Sequence, residues 1–345
     1  MFEQMMRGSI ALTMFLAGAG GLLRADEKPH PLAAPQVTSL TNKSVKYTVP
    51  KEHFVVLRRG GVTATVVDNT AIDPPQRRQR AGRLSGVGTL THADQPENLY
   101  NLVGLNFEHI HDGTLAVQRD RFEPRTAPME LREIDGYTVE LYQAPTPNWN
   151  LESCGRYHLL ADGTIEYTFE CIPRADVFKN GYLGLFWASY VYTPEDRAIH
   201  FIGRTADDPK PRWVRAVTPA HGEEATHPPS GPLPDLKLDR DFPLTLVSGR
   251  SKYTYAEPWY YGVCRGRALV QMFRARDRVW FAQSPNGGST TSKSPAWDFQ
   301  WFVPDYKVGE AYGFVMRAAY VPYKSQEQVE EVTRPHRDQL NPTKK

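Results

Sequence analysis

The chain is poor in cysteine, in net charge and in long apolar runs. Three Cys in 345 residues are too few for a disulfide scaffold. Lys and Arg number 41 against 39 Asp and Glu, a formal net charge of +2. That balance supplies no field to draw the whole chain onto nucleic acid or an anionic membrane. No apolar run reaches the roughly 20 residues that a membrane-spanning helix needs. G-x-S-x-G, a P-loop, a dinucleotide fingerprint at a strand-to-helix turn and C-x-x-C are all missing. The usual serine-hydrolase layout, phosphoryl transfer and hydride transfer therefore have no support.

Proline and glycine are plentiful instead, with 28 Pro and 26 Gly spread between apolar runs, a pattern of many turns. Most of the chain from Phe54 to Val321 has the period of β structure, and no amphipathic helical stretch interrupts it. In Thr164–Cys171, residues Ile165, Tyr167, Phe169 and Cys171 face one way and Thr164, Glu166, Thr168 and Glu170 the other, as in a half-buried antiparallel strand. Tyr137–Gln143 and Tyr312–Val321 alternate similarly, and Gly181–Tyr192 suits a central strand. So many strands without intervening helices predict an all-β fold, a large antiparallel two-sheet sandwich. No repeat at a blade-like period supports a propeller.

The expected organisation has four parts. Residues 1–25 read as a secretory signal: Arg7 supplies the positive region, Ile10–Leu23 the apolar one, and cleavage would follow Ala19 or Ala25. Residues 26–45 form a flexible N-terminal segment, 46–323 a single β-sandwich domain, and 324–345 a polar tail. In that tail Ser325-Gln-Glu-Gln is a capping-box pattern, predicting a short helix over Gln326–Arg334 that Pro335 stops. Export permits a disulfide, and Cys154 and Cys171 flank two strand-like runs. After signal cleavage no membrane span remains, so the expected location is secreted or periplasmic.

Three groups of residues have the chemistry of a site. In Asn106-Phe-Glu-His-Ile-His-Asp-Gly113, strand periodicity puts Phe107, His109 and His111 on one face and Glu108 and Ile110 on the other. Paired imidazoles are half of a divalent-metal site or a source of acid–base chemistry. Thr218–His227 places His221 and two Glu in a loop rich in Pro, suited to supply a third ligand or a base. The aromatic inventory completes the set. Trp187, Trp259, Tyr261 and Trp297 would stack a sugar ring, and Gln283, Asp298 and Gln300 would hold its hydroxyls.

Leu105-Asn-Phe-Glu-His-Ile-His-Asp-Gly113, Gly181-Tyr-Leu-Gly-Leu-Phe-Trp-Ala-Ser-Tyr190 and Ser294-Pro-Ala-Trp-Asp-Phe-Gln-Trp301 together resemble the galactose-mutarotase-like supersandwich group, over roughly Lys46 to Tyr323. The segments also resemble secreted bacterial proteins of unassigned function. The group includes aldose epimerases, glycoside-processing domains and polysaccharide lyases, so the resemblance implies a saccharide or polysaccharide partner and leaves the reaction open. In its epimerases a His acts as acid and a Glu as base. By resemblance His109, His111 or His221 would take the first role here, and Glu257 or Glu310 the second. The sequence thus predicts either a carbohydrate-active enzyme (epimerase, lyase or hydrolase) or a non-catalytic glycan-binding protein, with no nucleic-acid partner.

Overall fold

The computed structural model describes residues 30–70, 84–115, 120–242, 247, 249–285 and 294–342. The proposed signal segment lies outside them. Among the described residues eighteen strands form three antiparallel sheets. The large sheet contains β5 (Glu130–Asp135), β6 (Thr138–Gln143), β7 (Leu151–Leu159), β8 (Ile165–Pro173), β10 (Ile199–Arg204), β11 (Arg212–Ala216), β13 (Thr254–Tyr255), β14 (Trp259–Cys264), β15 (Arg267–Phe273) and β18 (Tyr312–Pro322). Its order is β11-β10-β14-β15-β18-β8-β7-β6-β5, with β13 paired to β10. The small sheet runs β12 (Thr226–His227), β16 (Trp280–Ser284), β17 (Ala296–Pro304), β9 (Tyr182–Ala188) and β4 (Asn106–His111). The third sheet is the meander β1 (Phe54–Arg59), β2 (Val62–Val67) and β3 (Gly86–His92).

The sandwich expected from strand periodicity is the observed fold. Aromatic side chains on the inner faces weld the large and small sheets together. Trp187 stacks on Phe299 at 5.2 Å between centroids and meets Phe314 edge-on at 5.0 Å. Phe107 lies 5.0 Å from Phe169, and Phe273 lies 5.1 Å from Phe299. Offset and edge-on ring pairs of this kind add to the burial of apolar area itself.

The outer face of the large sheet is covered from two directions. The N-terminal segment ties down two buried carboxylates: Glu170 accepts from the Val37 and Thr38 amides at 2.8 and 3.3 Å, and Glu140 from the Ser39 amide at 3.1 Å. Residues 37–39 are thus tied to Glu140 and Glu170. At the other end lies α2 (Gln326–Leu340), capped by Ser325, whose Oγ accepts from the Gln328 amide at 3.2 Å. The helix continues through Pro335 rather than stopping before it. Val329, Thr333 and Leu340 are buried, and this packing outweighs the hydrogen bond that proline cannot donate.

The three cysteines are free. Cys154 and Cys171 sit on neighbouring strands, but Cys171 belongs to the inter-sheet core and Cys154 packs with Leu40 and Ile172 on the outer side. Side chains on opposite faces of one sheet cannot bridge, so the disulfide considered from the sequence does not form.

Candidate functional site

The site is built on the outer face of the small sheet, and one irregularity creates it. β4 pairs with β9 as Phe107↔Trp187, His109↔Phe186, Ile110↔Leu185 and His111↔Gly184, with the register shifting between Phe107 and His109. Glu108 is the extra residue, a β-bulge. Phe107 and Ile110 enter the core. Glu108, His109 and His111 are thereby turned together onto the opposite face. Strict alternation assigned His109 to the face of Phe107 and Glu108 to that of Ile110, and the bulge reverses both.

Continuing across the sheet, the same row holds His109, Phe186, Gln300 and Trp280 as direct cross-strand partners. The row toward the chain-reversal end holds His111, Gly184 and Phe302. Phe186 stacks on the His109 ring at 4.9 Å, and Phe122 meets it edge-on at 4.5 Å. Phe242 lies 5.2 Å from the His111 ring. An ideal Cβ on Gly184 would stand 2.4 Å from Cε1 of His111 and 2.7 Å from its Nε2. Only glycine lets this imidazole lie across β9.

After β4 the chain returns alongside it, with the Ile110 amide donating to the Arg121 carbonyl at 2.9 Å. It then enters the one-turn helix α1 (Glu123–Thr126). This return delivers Arg121, Phe122 and Arg125 to the site. Arg125 Nη1 donates to Glu108 Oε1 at 3.0 Å, and the Tyr190 hydroxyl donates to both Glu108 oxygens at 2.9 and 2.8 Å. The Arg121 guanidinium stands 6.0 Å from the centroid of Phe242, a ring that also lies 5.2 Å from His111.

The electrostatics follow from burial and from these cations. His109 is 6% exposed and His111 1%. Burial first, then His111, Arg121, Arg125 and His221, hold His109 well below the ordinary imidazole range. Burial, seconded by Arg121, lowers His111 to about 3. Both imidazoles are neutral at pH 7, each with one donor and one acceptor nitrogen. His109 Nδ1 and both ring nitrogens of His111 have no hydrogen-bond partner among the described residues. Burial pushes Glu108 up, against the pull of Arg125 and Tyr190. Burial also drives Asp298 well above the carboxylate range, although the Ser189 amide donates to its Oδ1 at 3.0 Å. The face therefore combines neutral imidazoles with two carboxyls pushed up by burial, one of them engaged by Arg125.

Of the residues singled out in the sequence, His109, His111, Asp298 and Gln300 come together here. Gln300 Nε2 donates to Thr226 Oγ1 at 3.1 Å. His221 is exposed in its loop and is the last and smallest of the neighbours that lower His109. The others lie elsewhere. Trp187 and Trp297 are fully buried in the inter-sheet core, where Trp187 Nε1 donates to the Tyr167 hydroxyl at 3.0 Å. Trp259 and Tyr261 pack beneath α2 on the outer face of the large sheet. Glu257 is beside them, accepting from Trp259 Nε1 at 2.9 Å and from Arg337 at 3.2 Å. Gln283 points inward to His227, 3.1 Å away. Glu310 accepts from the Tyr312 hydroxyl at 3.2 Å at the end of the loop before β18. None of these joins the His109 face.

The divalent-metal reading of His109 and His111 gains no third ligand. Among the described residues no group of three or more His, Cys, Asp or Glu side chains is disposed to hold a metal ion. The neighbouring guanidinium groups of Arg121 and Arg125 also raise the electrostatic cost of a cation here. Sequence reasoning missed Glu108, Arg121, Arg125, Tyr190 and Phe186 as site residues. The signals available were the Asp112-Gly113 turn, which sends the chain back along the H-x-H strand, and the pair of Arg in Arg121-Phe-Glu-Pro-Arg125 that follows it.

No family model and no curated protein matches the chain. Among solved structures it is similar to a protein described as an aldose 1-epimerase from Escherichia coli K12, with a TM-score of 0.42 and 10% identity over 81% of this chain and 100% of that one. It is likewise similar to galactose 1-epimerase from Lactobacillus acidophilus NCFM, with a TM-score of 0.44 and 9% identity over 81% and 99% of the two chains. A third similar structure is a quadruple mutant of alpha-N-acetylgalactosaminidase from Bifidobacterium bifidum, with a TM-score of 0.44 and 9% identity over 83% of this chain and 39% of that one.

Proposed function

We propose that this is an exported carbohydrate-active protein that binds a saccharide on the outer face of the small sheet, with His109 and His111 as its proton-transferring groups. One observation carries the reading. Buried imidazole nitrogens without partners occupy the same face as the row Trp280, Gln300, Phe186 and His109. An unsatisfied buried polar atom costs about 1–3 kcal/mol, which a ligand hydroxyl in that position would recover. Rings alternating with an amide and an imidazole match a sugar, whose carbon faces are apolar and whose edge is lined with hydroxyls, and because Trp280 is 1%, Phe186 2% and Gln300 0% exposed, the proposal requires the chain covering this face to part on binding.

Acid–base chemistry fits the same groups. A neutral imidazole accepts a proton through one nitrogen while donating through the other. Glu108 and Asp298 on the same face are both pushed up by burial, Glu108 against the pull of Arg125 and Tyr190. Export through residues 1–25 is part of the proposal.

The experiment is a saccharide screen on the wild type and on His109→Ala, reading binding and turnover together. The expected result is a saccharide that binds the wild type and binds the variant about tenfold more weakly, the worth of roughly one buried hydrogen bond, with turnover lost in the variant. Equal binding by both proteins would place the ligand elsewhere.

A further inference from the structure

We infer that the saccharide this face takes is acidic, bearing a carboxylate or sulfate ester that seats against Arg121 beside His111. The inference rests on the saccharide reading above and goes on to fix the charge of the ligand. It begins with a count of charges on the face. Among the described residues the cationic groups are Arg121 and Arg125 beside the imidazoles and Arg250, 4.8 Å over the Trp280 ring at the far end of the row. The acidic side chains are Glu108 and Asp298. Glu108 is committed at 3.0 Å to Arg125 and at 2.9 and 2.8 Å to Tyr190. Asp298 accepts from the Ser189 amide at 3.0 Å, lies 3.4 Å from the Ser284 hydroxyl, and is driven by burial toward its neutral form.

That leaves Arg121 without a counter-ion. Among the described residues no carboxylate pairs with it, and its Nε is buried without a hydrogen-bond partner. Its guanidinium flanks the Phe242 ring at 6.0 Å, and His111 flanks the same ring at 5.2 Å. Both nitrogens of His111, in a side chain 1% exposed, are also unpartnered. A guanidinium and an imidazole N–H around one apolar ring offer donors to an oxyanion, and guanidinium is the side chain best shaped to hold one. A neutral hexose would leave the positive charge of Arg121 unanswered in a partly desolvated place, a standing electrostatic cost.

The test uses a glycan array in which neutral, uronate and sulfated members of the gluco, galacto and manno series are matched, with affinities then measured on the hits. The wild type is compared with Arg121→Gln and Arg121→Lys. Arg121 is only partly buried, and each variant is first checked for an unchanged melting transition. The expected result is that an acidic member binds at least about tenfold tighter than its neutral counterpart, the preference shrinking as salt rises. Arg121→Gln should erase the preference, and Arg121→Lys should retain part of it. Whether the uronate or the sulfate is preferred identifies the anion. Neutral sugars binding as tightly as acidic ones would overturn the charge inference while the saccharide reading stands. A preference that survives Arg121→Gln would overturn the seat. No binding by any glycan would overturn both.

Discussion

Replacing Gly184 by alanine is expected to destabilise the protein by about 1–3 kcal/mol, the usual cost of forcing a methyl into a filled interior, and to abolish saccharide binding. The added carbon would overlap the His111 ring, with contacts at 2.4, 2.7 and 2.8 Å. The ring has little space to yield, because it is 1% exposed and bounded by Phe242 at 5.2 Å, Phe302 at 6.1 Å and Tyr182 at 6.2 Å. Either the imidazole swings away from the face or β4 and β9 separate, and both outcomes remove the donor beside Arg121. Two measurements separate fold from function: urea unfolding gives the stability loss, and titration of a glycan that binds the wild type gives the binding loss. The double variant Gly184→Ala with His111→Ala makes room for the methyl and should recover stability without recovering binding. A single variant as stable and as competent as the wild type would show that His111 does not lie across Gly184.

A second large effect is expected in the pH dependence of stability. His227 is held at about 3 by burial, its Nδ1 2.6 Å from the Ser251 hydroxyl and its ring 4.8 Å from Phe201. In the unfolded chain it protonates near the ordinary value of about 6.5. Between those two values the unfolded state binds the extra proton, so the stability this residue contributes is full above about pH 6.5 and is lost as pH falls toward 3. From pH 7.5 to 5 the loss integrates to about 2 kcal/mol. Glu108, Asp298 and Asp277, each raised by burial, act with the opposite sign and favour the folded state as they protonate. The effect is therefore read as a difference. The stability gap between the wild type and His227→Gln should close by about 2 kcal/mol between pH 7.5 and 5. In the folded wild type the imidazole resonance should not titrate above pH 5, a readout independent of whether the variant folds. A constant gap, or a resonance titrating near pH 6.5, would contradict the buried neutral assignment.

Much of the architecture was legible in the sequence, because strands with one polar face announce their period. β8 is the clearest example. In β17 alternation separates Trp297, Phe299 and Trp301 from Asp298 and Gln300, as found, but the Trp297 face, expected to stack a sugar, is the one that enters the core. The rest was hidden for particular physical reasons. A β-bulge adds one residue without marking the sequence, so alternation at Glu108 and His109 gave the wrong faces. β14, β15 and β16 are buried on both sides, so alternation cannot say that Trp259 faces α2 and Gln283 faces the core. The pairing of α2 with the large sheet depends on tertiary contact, and for that reason a proline ended the helix only on paper. Arg121 and Arg125 reach the site because the chain turns back after β4, as the Asp112-Gly113 turn signal suggests, bringing Arg121 beside Ile110, but a turn signal does not say which side chains of the returning segment meet the histidines.

The most direct measurement of the central claim is a crystal structure of the protein soaked with a glycan that it binds in solution. The account predicts the sugar on the outer face of the small sheet, packed on Phe186 or Trp280, with a hydroxyl within hydrogen-bonding distance of His109 Nδ1 and an anionic group on Arg121. A sugar seated beneath α2 by Trp259 and Tyr261, or on the third sheet, would contradict it.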